Sequence, residues 1–154
     1  MLRNEWGNPP LPVVRGRSNI MITTLTIRTA TQSAMVDVTA QVEQAVQASG
    51  ARAGICQVFV PHTTAGITLN ENADPDVQRD ILTSLDRLVP ARGDYRHSEG
   101  NSPAHVKASL MGASVTLPIR DGRLLLGRWQ AITFCEFDGP RQRALVVNVI
   151  AAAP

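Results

Sequence analysis

Apolar and polar residues trade places with two distinct periods along this chain. From Ile20 to Thr29 they alternate singly: Met21, Thr23, Leu25 and Ile27 fall on one side, Ile22, Thr24, Thr26 and Arg28 on the other. That period of two predicts a strand with one apolar face. Over Asp37–Gly50 the period lengthens, placing Val38, Val42, Ala45 and Val46 on one helical stripe. Asp37 or Thr39 is the expected N-cap and Gly50 the expected stop. Two strands follow, GICQVFVPH and GITLNE, the first ending at Pro61. Asp74-Pro75 then opens a second helix, since Asp caps well and Pro is tolerated in the first turn. Its apolar stripe is Val77, Ile81, Leu82, Leu85 and Leu88. Pro90 and Gly93 begin a loop, and Ser102-Pro103 starts a third helix ending at Gly112. The remainder reads as strands: SVTLPI, RLLLG, WQAITFCEF and RALVVNVI. Turns at Asp121-Gly122 and Asp138-Gly139-Pro140 predict an antiparallel meander.

The expectation is an α+β domain over residues 19–154, a mostly antiparallel β-sandwich or sheet with three helices. Residues 1–18 contain Pro and Arg without periodicity and predict a flexible tail, one that could pack on a neighbouring subunit.

Composition narrows the function classes. Among 154 residues the formal charge is +2 and aromatics are 4%. Arginines are scattered rather than grouped with aromatics, which argues against nucleic acid as a partner. No window approaches 18 consecutive apolar residues, so no membrane helix is expected. The first residues lack the apolar core of a signal peptide, and a cytoplasmic location is the expectation. Cys56 and Cys135 sit inside predicted strands and read as buried, reduced thiols.

Candidate chemistry gathers around the three histidines. His62 heads PHTTAGITLNENADPD, where Thr63, Thr64 and Asn70 offer hydroxyls and an amide to phosphate oxygens. Glu71 ends a strand, where acid is not favoured, and is the candidate carboxylate. His97 and His105 lie eight apart in YRHSEGNSPAH, unlike the four-residue spacing of a helix-borne metal pair. His105 falls in the first turn of the third helix, whose free N–H groups suit an anion and where an imidazole suits a ligand or a base. Three imidazoles with one carboxylate would hold a zinc-type ion or run acid–base chemistry near neutrality. Trp129 reads as core or subunit interface ahead of substrate stacking. Arg141, in a Gly-Pro turn, could clamp phosphate. Each segment also has a plainer reading, as a capped strand end, an N-cap loop or a solvated turn.

Together HTTAGITLNENAD, YRH, NSPAH before KASLMG, and DGRLLLGRWQAITFCEFDGPR resemble the YjbQ family of small proteins over roughly residues 20–150. Glu99 is the carboxylate available between His97 and His105, where the family pattern suggests an aspartate. The resemblance implies an α/β sandwich assembled as a homotrimer, with the histidines and Glu71 in a polar pocket near the subunit interface. It further implies a secondary thiamine-phosphate synthase activity, joining a pyrimidine-methyl pyrophosphate to a thiazole phosphate and releasing pyrophosphate. On this reading His62, Glu71, His97 and His105 are catalytic. Thr63, Thr64, Asn70, Asn101, Ser102, Gln130 and Arg141 bind a small phosphorylated substrate. His62, His97 and His105 hold a divalent ion, zinc or magnesium. Two other classes stay open: a metal-dependent hydrolase of a phosphorylated or cyclic small molecule, and a non-catalytic binding trimer.

Overall fold

The computed structural model describes residues 19–152. Strands β1 (Ile20–Arg28) and β2 (Ala34–Asp37) precede helix α1 (Thr39–Ser49). Then come β3 (Ala53–Phe59), β4 (Ala65–Glu71), α2 (Pro75–Leu88) and α3 (Ser102–Met111). The chain closes with β5 (Ser114–Arg120), β6 (Arg123–Leu124), β7 (Gln130–Glu136) and β8 (Gln142–Ala151). The α+β class and the three helices therefore stand. The tail expected over residues 1–18 lies outside the described residues.

All strand pairings are antiparallel, and they sort into two sheets. One has five strands in the order β1-β8-β3-β5-β6, the other three in the order β2-β7-β4. Their facing surfaces make the main core, where Cys56, Val58, Leu117, Leu145 and Val147 meet Ile67, Ile132 and Phe134. Helix α1 adds Val42 and Val46 to the same core. A smaller apolar cluster lies on the other side of the three-stranded sheet, where Ala104 and Ala108 of α3 cover Cys135 and Phe137. Strand β7 is thus packed on both faces, which is why ITFCE is buried without interruption. Both thiols are free and buried, as expected.

The meander is a correction. β5 and β6 form the expected hairpin at Asp121-Gly122, but β7 and β8 belong to different sheets. The Asp138-Gly139-Pro140 segment carries the chain across the sandwich instead of folding it back. Gly139 donates its N–H to the Gln32 carbonyl, and a Cβ there would stand 2.2 Å from the Thr31 oxygen. That contact with the β1–β2 loop turns the chain toward β1, so β8 pairs with β1 and β3. RLLLG likewise stays in strand for two residues only.

Helix ends follow their sequence signals in part. Asp74 caps α2 by accepting the Asp76 N–H at 2.9 Å. Gly50 closes α1 in the left-handed region, with φ 71°, which glycine adopts without the strain a Cβ would bring. The α1 cap position belongs to Val38, not to Asp37 or Thr39. Asp37 accepts the Thr39 N–H at 2.8 Å, while the Thr39 hydroxyl accepts the N–H of Ile132 at 2.8 Å. Asp37 thus still satisfies the first N–H of the helix from one residue further back, whereas the Thr39 hydroxyl is drawn to β7.

Candidate functional site

The three-stranded sheet has polar residues at both ends, and the expected site residues divide between them. Register sets the division. Glu71 at the close of β4 lies opposite Gln130 at the start of β7, and Ala65 lies opposite Glu136. Gln130 and Glu136 lie six residue steps apart along the strand, about 20 Å. Asn70, Glu71 and Gln130 therefore occupy one end, with Thr64 and Asp138 at the other.

At the Glu136 end a buried ionic network ties the sheets together. Glu136 is fully buried and Arg143 is 8% exposed. The guanidinium donates through Nη2 to Oε1 at 2.6 Å and through Nε to Oε2 at 2.7 Å. Glu136 also accepts the N–H groups of Phe137 and Asp138 and the Thr29 hydroxyl. Arg143 donates again to the Thr64 hydroxyl at 2.9 Å. Thr64 is thus spent inside the protein, and a phosphate-binding role for it is corrected. Thr63 beside it is exposed.

His62 is also engaged internally. The Ala144 N–H donates to His62 Nε2 at 2.9 Å. Strand β3 stops pairing with β8 at Phe59↔Val146, so the imidazole takes the amide that the next step of the ladder would have used. Burial, then the charge of Arg143, hold His62 below the usual imidazole range. A neutral ring accepting at Nε2 carries its proton on Nδ1, leaving neither nitrogen free for a cation.

His97 and His105 do meet. Their rings stand edge to face with centroids 5.3 Å apart. His97 Nε2 lies 3.8 Å from Glu99 Oε2. The pair sits beside the start of α3, whose cap residue Asn101 donates from Nδ2 to Asp138 Oδ2 at 3.1 Å. Asp138 in turn receives Arg141, whose Nη2 reaches Oδ2 at 2.8 Å and whose Nε reaches the backbone oxygen at 2.7 Å. The other edge of this half-exposed guanidinium remains available to an anion. The helix start is a poorer anion seat than its sequence promises. Pro103 has no N–H, and the amides of Ala104 and His105 both turn to the Asn101 carbonyl. Glu99, the carboxylate near His97, also borders a polar cavity of about 640 Å³ with Ser33, Asp86, Asn101, Lys107 and Asp138, a cavity that neither imidazole lines. Lys107 is almost fully buried there, its ammonium donating to Asp86.

A three-histidine metal centre does not form within one chain. Among the described residues no three His, Cys, Asp or Glu side chains are gathered to hold an ion. His62 is committed to Ala144, and Glu71 stands at the far end of the sheet, so the donors do not fit zinc or magnesium in a single protomer.

At the Glu71 end the polar residues brace one another. Asn70 Oδ1 accepts the Glu71 N–H at 2.7 Å, and Asn72 Nδ2 donates to Asp37 at 2.7 Å. Gln130 Oε1 accepts the Gly127 N–H at 2.8 Å, so that oxygen is used locally. Trp129 is 56% exposed, so of the expected core or subunit-interface positions it does not take the core one, and Arg128 lies over its ring.

Sequence reasoning did not single out Arg143 or Lys107. A glutamate closing the apolar run ITFCEF was the available signal, because a buried carboxylate demands a cationic partner.

These features define a class: a small α+β sandwich with an imidazole pair and a polar cavity at one end of its shorter sheet. The chain belongs to the UPF0047 YjbQ-like family, whose model matches residues 23–152. The UPF0047 protein of Methanocaldococcus jannaschii is 50% identical over 124 residues, covering 80% of this chain and 90% of that one. YugU of Bacillus subtilis is 47% identical over 131 residues, covering 84% and 99%. A crystal structure of a family member from Clostridium acetobutylicum aligns with a TM-score of 0.82 at 54% identity, covering 83% and 99%. A YbjQ-like protein from Sulfolobus solfataricus aligns at 0.83 and 37% identity, covering 86% and 98%. Among the described residues no helix is long and apolar enough to cross a membrane.

Proposed function

We propose that this protein is a cytoplasmic homotrimeric enzyme acting on small phosphorylated molecules, with thiamine-phosphate synthesis among its activities. The observation that carries this reading is the His97–His105 pair, 5.3 Å apart at the start of α3, where Asn101 is tied through Asp138 to the half-exposed Arg141. In the proposed reaction the thiazole nitrogen attacks the pyrimidine methylene carbon. A C–N bond forms, the C–O bond breaks, and the electron pair leaves on pyrophosphate. His97 and His105 hydrogen-bond the departing pyrophosphate, and the free edge of Arg141 offsets its charge. Ser102 adds the hydroxyl at the helix start.

The trimer belongs to this proposal because Glu71 joins the imidazoles in one site only between protomers. One chain cannot bring them together, whereas a neighbouring protomer can present its Glu71 end to the His97 end of the first. A divalent ion would likewise have to draw donors from more than one protomer.

The test is mass spectrometry of purified protein incubated with the two thiamine precursors. Thiamine phosphate together with pyrophosphate is expected, and both should vanish in His97→Ala and His105→Ala. Phosphate or pyrophosphate released from one precursor alone would replace this reading with the hydrolase. No turnover, with a ligand retained through purification, would replace it with the binding trimer.

A further inference from the structure

The one strongly exposed indole among the described residues stands where the imidazoles do not. Trp129 precedes β7, and the Arg128 guanidinium carbon lies 4.8 Å from its ring centroid. The loop beneath is held firmly. Gln130 donates its N–H to the Gly127 oxygen at 3.0 Å, and Gly127 donates to Gln130 Oε1 at 2.8 Å. The Trp129 carbonyl accepts the Asn72 N–H at 3.1 Å. A Cβ on Gly127 would press on Gln130 Oε1 at 3.2 Å and push that side chain aside by a few tenths of an ångström. Glu71 sits across from Gln130 in the ladder.

An indole this exposed offers its ring to a neighbouring chain or to a ligand, and its surroundings choose between the two. Interface tryptophans sit at the centre of desolvated apolar patches. Trp129 instead has Arg128 over its ring, the Asn72 backbone on its carbonyl, and the Gln130–Glu71 ladder pair as its neighbour in the sheet. The guanidinium lies over the ring of an indole that stays 56% exposed, so positive charge stands beside whatever stacks there.

We infer that Trp129 and Arg128 form a stacking platform for a planar nitrogen heterocycle bearing an anionic group. The indole takes the ring by its face and Arg128 takes the phosphate. This deepens the function proposed above by naming a part of the substrate site. It rests on that reading only for the identity of the heterocycle.

The chain has two tryptophans, so Trp6→Phe leaves Trp129 as the sole indole, read with excitation at about 295 nm to pass over Tyr95. Thiamine phosphate and adenosine monophosphate are titrated in turn into this protein, following indole emission. Saturable quenching by thiamine phosphate is expected, weakened about tenfold by Arg128→Ala and by removal of the phosphate. Quenching by adenosine monophosphate alone upholds the platform and counts against the thiamine reading. Quenching by neither overturns the platform, even if turnover is found. Trp129→Ala, with folding checked by circular dichroism, is assayed for turnover and sedimentation. A shift to monomers with precursor KM unchanged would make Trp129 an interface residue and overturn the platform. A rise in KM with the trimer intact supports it.

Discussion

Glu136 and Arg143 join the two sheets through a bidentate ion pair sealed from solvent. The carboxylate belongs to β7 in the three-stranded sheet, the guanidinium to β8 in the five-stranded one. Breaking such a pair from one side leaves an uncompensated buried charge. Arg143→Met should lower unfolding free energy by about 3–5 kcal/mol, whereas the paired change Glu136→Leu with Arg143→Met should recover much of that loss. Urea unfolding of the single and double variants measures both. Equal losses in the two proteins would show that the surrounding hydrogen bonds, not the charge pair, set the cost.

The same network fixes how stability depends on pH. Burial would push the Glu136 carboxyl up, but the Arg143 hydrogen bonds, the Asp138 N–H, the Arg143 charge and the Thr29 hydroxyl hold it below the usual range. The unfolded chain therefore takes up this proton first. The contribution is complete above the ordinary glutamate value of about 4.3 and is lost as pH falls through the depressed folded value. His62 acts in the same direction at higher pH. Its folded value also lies below the ordinary one, so stability falls as pH drops below about 6.5 and levels off beneath the folded value. Urea midpoints from pH 8 to 5 should decline in the parent and much less in His62→Gln, which keeps an acceptor for Ala144. An undiminished decline in that variant refutes the assignment.

Local order was legible in the sequence, and long-range pairing was not. The alternation in β1, the Asp74-Pro75 start of α2 and the Gly50 stop of α1 all depend on neighbours within a few residues, and they hold. The partition of β7 and β8 into separate sheets depends on Gly139 meeting the Thr31–Gln32 loop, more than a hundred residues earlier. His62 looked like a ligand because its sequence neighbours are polar. Its proton is set instead by Ala144, brought beside it where β3 leaves β8. The encounter of His97 with His105 was anticipated. Their distance from Glu71 was not, because only the register of β4 on β7 reveals it.

Both thiols should be inert in the native protein. Burial and the charge of Glu43 push Cys56 up to about 11, and burial pushes Cys135 up to about 12. At pH 8 a thiol reagent should label neither until denaturant is added, then label both, with native rates slower by about 100-fold or more. Prompt native labelling of either would mean that its strand opens locally.

His97 and His105 should matter to chemistry and little to stability. Both rings are partly solvent-accessible, and surface substitutions away from buried networks cost within about 0.5 kcal/mol. His97→Ala and His105→Ala should each reduce turnover at least about 100-fold with an unchanged melting temperature. A large stability loss would recast the ring pair as a packing contact.

If the imidazoles of one protomer work with Glu71 of the next, two dead variants should revive each other. Glu71→Gln and His105→Ala are each expected to be inactive as homotrimers, since every site lacks one member. Mixed by co-expression, some interfaces pair an intact histidine end with an intact Glu71 end. Random assembly makes that about one interface in four, so activity should return to about a quarter of the parent. Should Glu71 serve its own chain's histidines, every chain still carries one lesion and mixing restores nothing. The 20 Å of β7 between the two ends argues for the first outcome. Comparing the specific activity of co-expressed and separately purified variants decides it.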